Sequence, residues 1–192
     1  MKIEVIGLPG SGKTFLSKEK FFEFGSDLIS VKRNGYRYFF VMLFCCFRFY
    51  YFFSVLKIIF IENKKNKNIL KHKICIFFEY ISNEAQCFFK NNYIIDQGFM
   101  YLPFSIFDRK IEEKDLVIFL NYYRKFCRDR SLFLIEVDEV IRQKRIEKRG
   151  RRPRSSLGIN YAISIDKVLF LNKNIIYNFY LKNVKDSKII FN

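Results

Sequence analysis

Histidine occurs once in these 192 residues, and the five cysteines form no C-x-x-C pair and leave an odd count. A Cys/His zinc site is therefore not expected, and reduced thiols in a cytoplasmic protein are the simplest reading. Acidic residues are few: 19 Asp and Glu stand against 35 Lys and Arg, a formal charge of +16 at pH 7. Such a surface draws anions of any kind, whether nucleotides, nucleic acid or acidic lipid head groups. No nucleic-acid reading motif accompanies the charge, and no internal repeat is visible. The N-terminal "KIEVIGL" lacks the basic, apolar and small-residue order of a signal peptide.

Long uninterrupted apolar runs are missing too. Residues 36–61, "YRYFFVMLFCCFRFYYFFSVLKIIFI", have the length to span a bilayer, but Arg37, Arg48 and Lys57 divide them. The unbroken part, Tyr38 to Phe47, is ten residues, short of the ~17–25 of a spanning helix. A central Arg adds roughly 2.5–3.5 kcal/mol to insertion. Buried or substrate-covering helices are the leading reading, ahead of peripheral membrane contact and of true spanning. The 25 Phe and 12 Tyr reflect a broad bias, so no single aromatic counts as a signal.

What is present suits one domain over 1–192, with half the residues hydrophobic and a sizeable core available. Strand-like and helix-like stretches alternate. "KIEVIG" reads as a first strand, Thr14 to Phe24 as a helix stopped by Gly25, and Asp27 to Val31 as a second strand. Ile69 to Lys90 holds one or two helices, and "NYIIDQG" is an apolar run ending in an acid and a glycine. Asp115 to Cys127 looks helical, Ser131 to Asp138 is a clear strand, and Glu139 to Gly150 is a helix. A long helix over Tyr161 to Asn183 and a last strand at Lys188 to Asn192 complete the pattern. Such alternation predicts a parallel sheet covered on both faces.

Three motifs carry chemistry. "GLPGSGKT", Gly7 to Thr14, fits G-x-x-x-x-G-K-[ST] at every fixed position, between a predicted strand and a predicted helix. Gly7, Gly10 and Gly12 let the backbone aim N–H groups at phosphate oxygens, and the helix N-terminus favours the same anion. Pro9, Ser11 and Phe15 flank them, Lys13 would bridge the β- and γ-phosphates, and Thr14 would ligate Mg²⁺. Second, Asp96 ends "YIID", where a carboxylate would meet the metal or accept a proton from an attacking hydroxyl. Third, Arg142, Arg145, Arg149, Arg151, Arg152 and Arg154 fall within thirteen positions. Arg142, Arg145 and Arg149 share one helix face by spacing, and guanidinium groups can stabilise a moving phosphoryl group. A solvated basic face or a nucleic-acid patch are the alternatives for this cluster.

Taken in order, "GLPGSGKT", "YIIDQG" and "LFLIEVDEVIRQKRIEKRGRRPR" resemble the P-loop nucleoside and nucleotide kinases, a group that includes adenylate and thymidylate kinases. The resemblance implies an α/β, three-layer P-loop NTPase fold: a five-stranded parallel sheet, helices on both faces and an Arg-rich lid at 149–158. It implies a helical segment, 33–91, covering an acceptor. It also implies ATP and Mg²⁺ held by the loop residues with Arg142, Arg145 and Arg149, and by Thr14 and Asp96 for the metal. Lys13, Asp96, Arg145 and Arg149 become the catalytic candidates.

The resemblance covers about half of the chain and leaves Gly35 to Asn91 unexplained. Where such kinases carry Asp-Arg or Asp-Gly-Phe-Pro-Arg, this chain has "DQGFMYLP". An acceptor-binding arginine is thus absent there, with Arg37, Arg48 and Arg109 as replacements. The expected function is transfer of the γ-phosphoryl group of ATP to a small acceptor: a nucleoside, a nucleotide or a sugar. The competing reading is an ATPase or switch acting on a membrane, protein or nucleic-acid partner. A plain nucleic-acid binder stands third, since it leaves the glycine-rich loop without a role.

Overall fold

The computed structural model describes residues 1–24, 27–29, 37–150 and 152–192, with backbone alone for 19–24, 27–29 and 37. Gly25, Val31, Arg151 and the side chain of Arg37 lie outside that description. Five strands, β1 (Lys2–Ile6), β2 (Asp27–Ile29), β3 (Tyr93–Ile95), β4 (Ser131–Glu136) and β5 (Ser187–Phe191), form one sheet in the order β2-β3-β1-β4-β5. All pairings are parallel; Ile3 lies between Ile94 of β3 and Ser131 of β4. β1 is thus central, and the loops that leave β1, β3 and β4 emerge side by side at one edge.

The pleat of β1 sorts its side chains onto two faces. Ile3 and Val5 join Ile94, Phe133 and Ile135 in a small cluster covered by Leu16 of α1 (Lys13–Phe24). Ile6 faces the other way, into the main core. That core is filled from α4 (Lys67–Gln86), α6 (Glu113–Phe126) and α8 (Ile159–Asn183), through residues such as Phe77, Phe119 and Ile176. α5 (Pro103–Ile106) is one short turn after β3, and α7 (Glu139–Lys148) follows β4.

The aromatic segment folds as α2 (Arg37–Phe47) and α3 (Phe49–Asn63). Its buried rings are core: Phe44 stacks on Phe88, Phe99 and Tyr122, and Tyr51 meets Tyr122 and Phe126 edge-on. Arg48, at the break, lays its guanidinium 3.5 Å from the Phe126 ring centre and 4.8 Å from that of Phe88. Among the described residues no single helix is long and apolar enough to cross a membrane. α2 and α3 are so only as a pair bent by 111°.

Candidate active site

Residues 7–12 connect β1 to α1 by a loop that needs left-handed backbone at two points, φ +87° at Gly10 and +90° at Gly12. A Cβ on Gly10 would also lie 3.0 Å from the carbonyl oxygen of Arg142, so the loop and α7 pack backbone to backbone there. Lys13 begins α1 and turns its Nζ back onto the carbonyls of Gly7 (2.7 Å) and Leu8 (3.2 Å). The ammonium sits 4.9 Å from the centre of the Tyr101 ring. Desolvation pulls the Lys13 pKa down to about 8, against the pull of Asp96 and with help from Arg149 and Arg142. Ser11 Oγ is buried without a hydrogen-bond partner among the described residues and lies against Gly7, where a Cβ would come within 2.6 Å of it.

Asp96 follows β3 directly and is almost wholly buried. Its Oδ2 accepts from Thr14 Oγ1 at 3.2 Å. Burial raises its pKa, while Lys13 and the Thr14 hydrogen bond lower it. Beyond Asp96 the chain lines a cavity of about 400 Å³ that opens from the glycine-rich loop. Its far wall is built by His72, Ile76, Glu79 and Tyr80 of α4, with Tyr101 and Ser105 beside them. Tyr80 accepts a hydrogen bond from Ser105 Oγ at 3.1 Å. His72 is held toward its neutral form by burial and by Arg154 and Lys73.

The structure separates the arginines that the sequence groups. Arg142 is fully buried and faces carboxylates. Its Nε and Nη2 donate to Glu139, Nη1 and Nη2 to Asp166, and Nη1 to the Pro9 carbonyl, at 2.7–3.1 Å. All five N–H donors are used. Arg142, expected from the sequence to bind nucleotide, here fastens α7 and α8 to the glycine-rich loop. Arg145 reaches the Ser11 carbonyl at 3.4 Å. Arg149 lines the cavity beside Lys13, and so do Pro153 and Arg154 from the 149–158 segment.

Arg154, which the sequence reading did not single out as a site residue, donates to the Phe104 carbonyl at 2.9 Å and lies 3.8 Å from Asp108. Of the three proposed substitutes for the acceptor arginine, the Arg37 side chain lies outside the described residues, and neither Arg48 nor Arg109 lines the cavity. Arg109 is clamped by Glu62 and Asp115, and Arg48 is stacked on aromatic rings. The far wall of the cavity comes from α4, and among the described residues none of α2 or α3 lines it. The signal for that wall was present in the spacing of 72, 76, 79 and 80, positions that return to one helix face.

A central strand feeding a glycine-rich loop, an acid at the end of the neighbouring strand and an arginine-bearing segment after β4 make up a parallel α/β fold with a phosphate-type loop. No family model and no curated protein matches the chain. A solved structure of deoxyadenosine kinase from M. mycoides with bound dATP is similar over 99% of this chain and 90% of its own, with a TM-score of 0.56 at 20% identity. A second structure of that enzyme, with products dCMP and a flexible dCDP bound, gives a TM-score of 0.48 at 21% identity, over 100% and 90%. The first likeness establishes a shared fold.

Proposed function

We propose that this protein is an ATP-dependent kinase that transfers the γ-phosphoryl group to a hydroxyl of a nucleoside or a related small acceptor. The observation that carries the reading is the convergence of Lys13, Thr14, Asp96 and Arg149 on one cavity whose opposite wall holds His72, Glu79, Tyr80 and Tyr101. The Lys13 ammonium, hydrogen-bonded to the Gly7 and Leu8 carbonyls of its own loop, lines the cavity together with Gly10, Gly12 and Thr14, where a polyphosphate would sit. Support for the acceptor class comes from the deoxyadenosine kinase of the same fold.

Lys13 and the loop amides are assigned to the β- and γ-phosphates, with Gly7, Pro9, Gly10, Ser11, Gly12 and Phe15 shaping the cradle. Thr14 and Asp96, already in contact, would hold Mg²⁺. Among the described residues no group of three or more His, Cys, Asp or Glu forms a metal cage. The remaining ligands would have to be phosphate and water oxygens, as that ion prefers. When bound, the ion neutralises charge on the phosphates. Asp96 also stands where the proton of an attacking acceptor hydroxyl would be released. Arg149, which lines the cavity, and Arg145 are assigned to stabilise negative charge on the transferred group, and 149–158 is assigned as the lid that excludes water.

The absence of an arginine after Asp96 favours an uncharged acceptor, a nucleoside, over a nucleoside monophosphate. A screen of ATP consumption across nucleosides, nucleoside monophosphates and sugars tests this. Turnover dependent on a nucleoside, lost in Lys13→Ala, is the expected result; turnover indifferent to every acceptor overturns it.

One observation favours a second reading. α2 and α3 expose Tyr38, Phe39, Met42, Phe49, Tyr50 and Phe60 outside the cavity. A surface of this kind suits an ATPase that acts on a membrane or protein partner. Stimulation of ATP turnover by anionic vesicles, without acceptor phosphorylation, would support it.

A further inference from the structure

The main core holds a charged cluster that the site described above does not use. Glu4 stands in the middle of β1 and is completely buried, on the face where its neighbour Ile6 packs into the apolar core. Glu84 of α4 and Arg130, just before β4, are buried beside it. The Arg130 guanidinium spends all five donors here. Nη1 donates to Glu4 (2.7 Å) and Glu84 (3.0 Å), Nη2 to Glu84 (2.6 Å) and the Tyr93 hydroxyl (2.8 Å), and Nε to that hydroxyl (3.0 Å). Buried ion networks roughly break even against an apolar core of the same volume. Stability alone therefore does not account for two acids and a base at the centre of the sheet.

Both carboxylates also reach one backbone segment in common. Glu84 Oε2 accepts from the Phe99 N–H at 3.2 Å, and Glu4 Oε1 accepts from the Tyr101 N–H at 3.1 Å. Between Asp96 and these two amides the chain passes flat against Glu4. A Cβ on Gly98 would stand 2.6–2.8 Å from all three atoms of the Glu4 carboxyl group. The segment so gripped begins with Asp96, bonded to Thr14, and ends with Tyr101, whose ring lies under Lys13.

We infer that Glu4 and Glu84, locked by Arg130, are positioning residues that set the 96–101 turn. They thereby hold Asp96 and Tyr101 in register with the glycine-rich loop. This rests on the kinase reading for its catalytic consequence, not for its geometry. The two carboxylates act as a fixed template: they accept the amides at the start and end of the short 3-10 turn Phe99–Tyr101, and Gly98 gives the approach room.

The test uses the full-length protein with Glu84→Gln, Glu4→Gln and Gly98→Ala. The glutamines keep side-chain volume but weaken the grip on Arg130 and on the amides. Gly98→Ala leaves all three charged residues in place and pushes the turn off Glu4. In folded variants kcat for the acceptor should fall about ten-fold or more, while the dissociation constant for ATP stays within about two-fold. Gly98→Ala combined with Glu4→Gln should cost little more than either alone, because both act through one contact.

A second readout needs no activity. Amide NMR resonances of Asp96, Gln97 and Thr14 should shift in ligand-free Glu84→Gln, since Glu84 touches none of them directly. Variants that lose thermal stability but keep wild-type kcat and unmoved resonances overturn the inference. A wild-type protein that phosphorylates no acceptor overturns the kinase reading alone. The resonances then decide the positioning role by themselves.

Discussion

At Lys13, burial works against the charge that phosphate binding needs. The ligand-free ammonium titrates at about 8, below its usual value, because it is desolvated at the base of the loop. Below that pH it is charged and ready for a polyphosphate; above it, binding must draw a proton from solution. ATP affinity is therefore expected to decline as pH rises through 8, with net proton uptake in calorimetry across buffers of different ionisation enthalpy. Affinity independent of pH through that range would contradict the assignment.

The two arginines of α7 and its C-terminal end should part company in the same way. Arg142→Met strands Glu139 and Asp166 and should cost about 2–4 kcal/mol in denaturant unfolding, the lower figure reflecting the exposure of Glu139. Arg149→Met should leave stability within about 0.5 kcal/mol and lower kcat at least about ten-fold in steady-state assays. Spacing in the sequence put both arginines on one helix face. It could not show that Asp166, 24 positions away, would claim Arg142.

Among the elements, α7 shows how local chemistry sets the site. Asp138 ends the apolar run that reads as a strand, yet β4 stops at Glu136 and Asp138 caps α7. Its Oδ1 accepts from the N–H groups of Val140 and Ile141 at 2.9 and 3.2 Å. Asp138→Ala should lower stability by about 1 kcal/mol in thermal or denaturant unfolding. It should also raise the dissociation constant for ATP, because Gly10 packs on the first turns of that helix.

α1, β3, α6 and α8 were legible from periodicity and glycine punctuation, within a few residues at their ends. α4 was not read as a cavity wall. Spacing puts His72, Ile76, Glu79 and Tyr80 on one face, but the helix is buried all round from Tyr80 to Ala85, so no polar stripe set that face apart. α2 and α3 were expected to be buried or substrate-covering helices, and the buried alternative holds: their buried rings fill the core and their exposed ones face outward.

Across the whole molecule, the parallel sheet gathers residues far apart in sequence at the carboxyl ends of β1, β3 and β4. Lys13, Asp96 and Arg149 meet there because β1 lies between the other two strands. The donor half of this arrangement was readable, since a loop that cradles phosphate is a local structure with fixed spacing. The far wall of the cavity was not, because it is assembled from long-range packing of α4 against the turn after Asp96. The charged cluster beneath that turn was equally hidden: Glu4, Glu84 and Arg130 look like ordinary charges until the fold brings them together.

With a formal charge of +16, attraction for any polyanion is general, and salt should weaken it. Simple ATP binding is thus a poor criterion. The direct measurement is the fate of the terminal phosphoryl group, followed with γ-labelled ATP in the presence of deoxynucleosides. The label is expected on a nucleoside monophosphate, with the rate reduced by roughly 100-fold or more in Lys13→Ala. Label released only as inorganic phosphate, whatever acceptor is supplied, would contradict the kinase assignment.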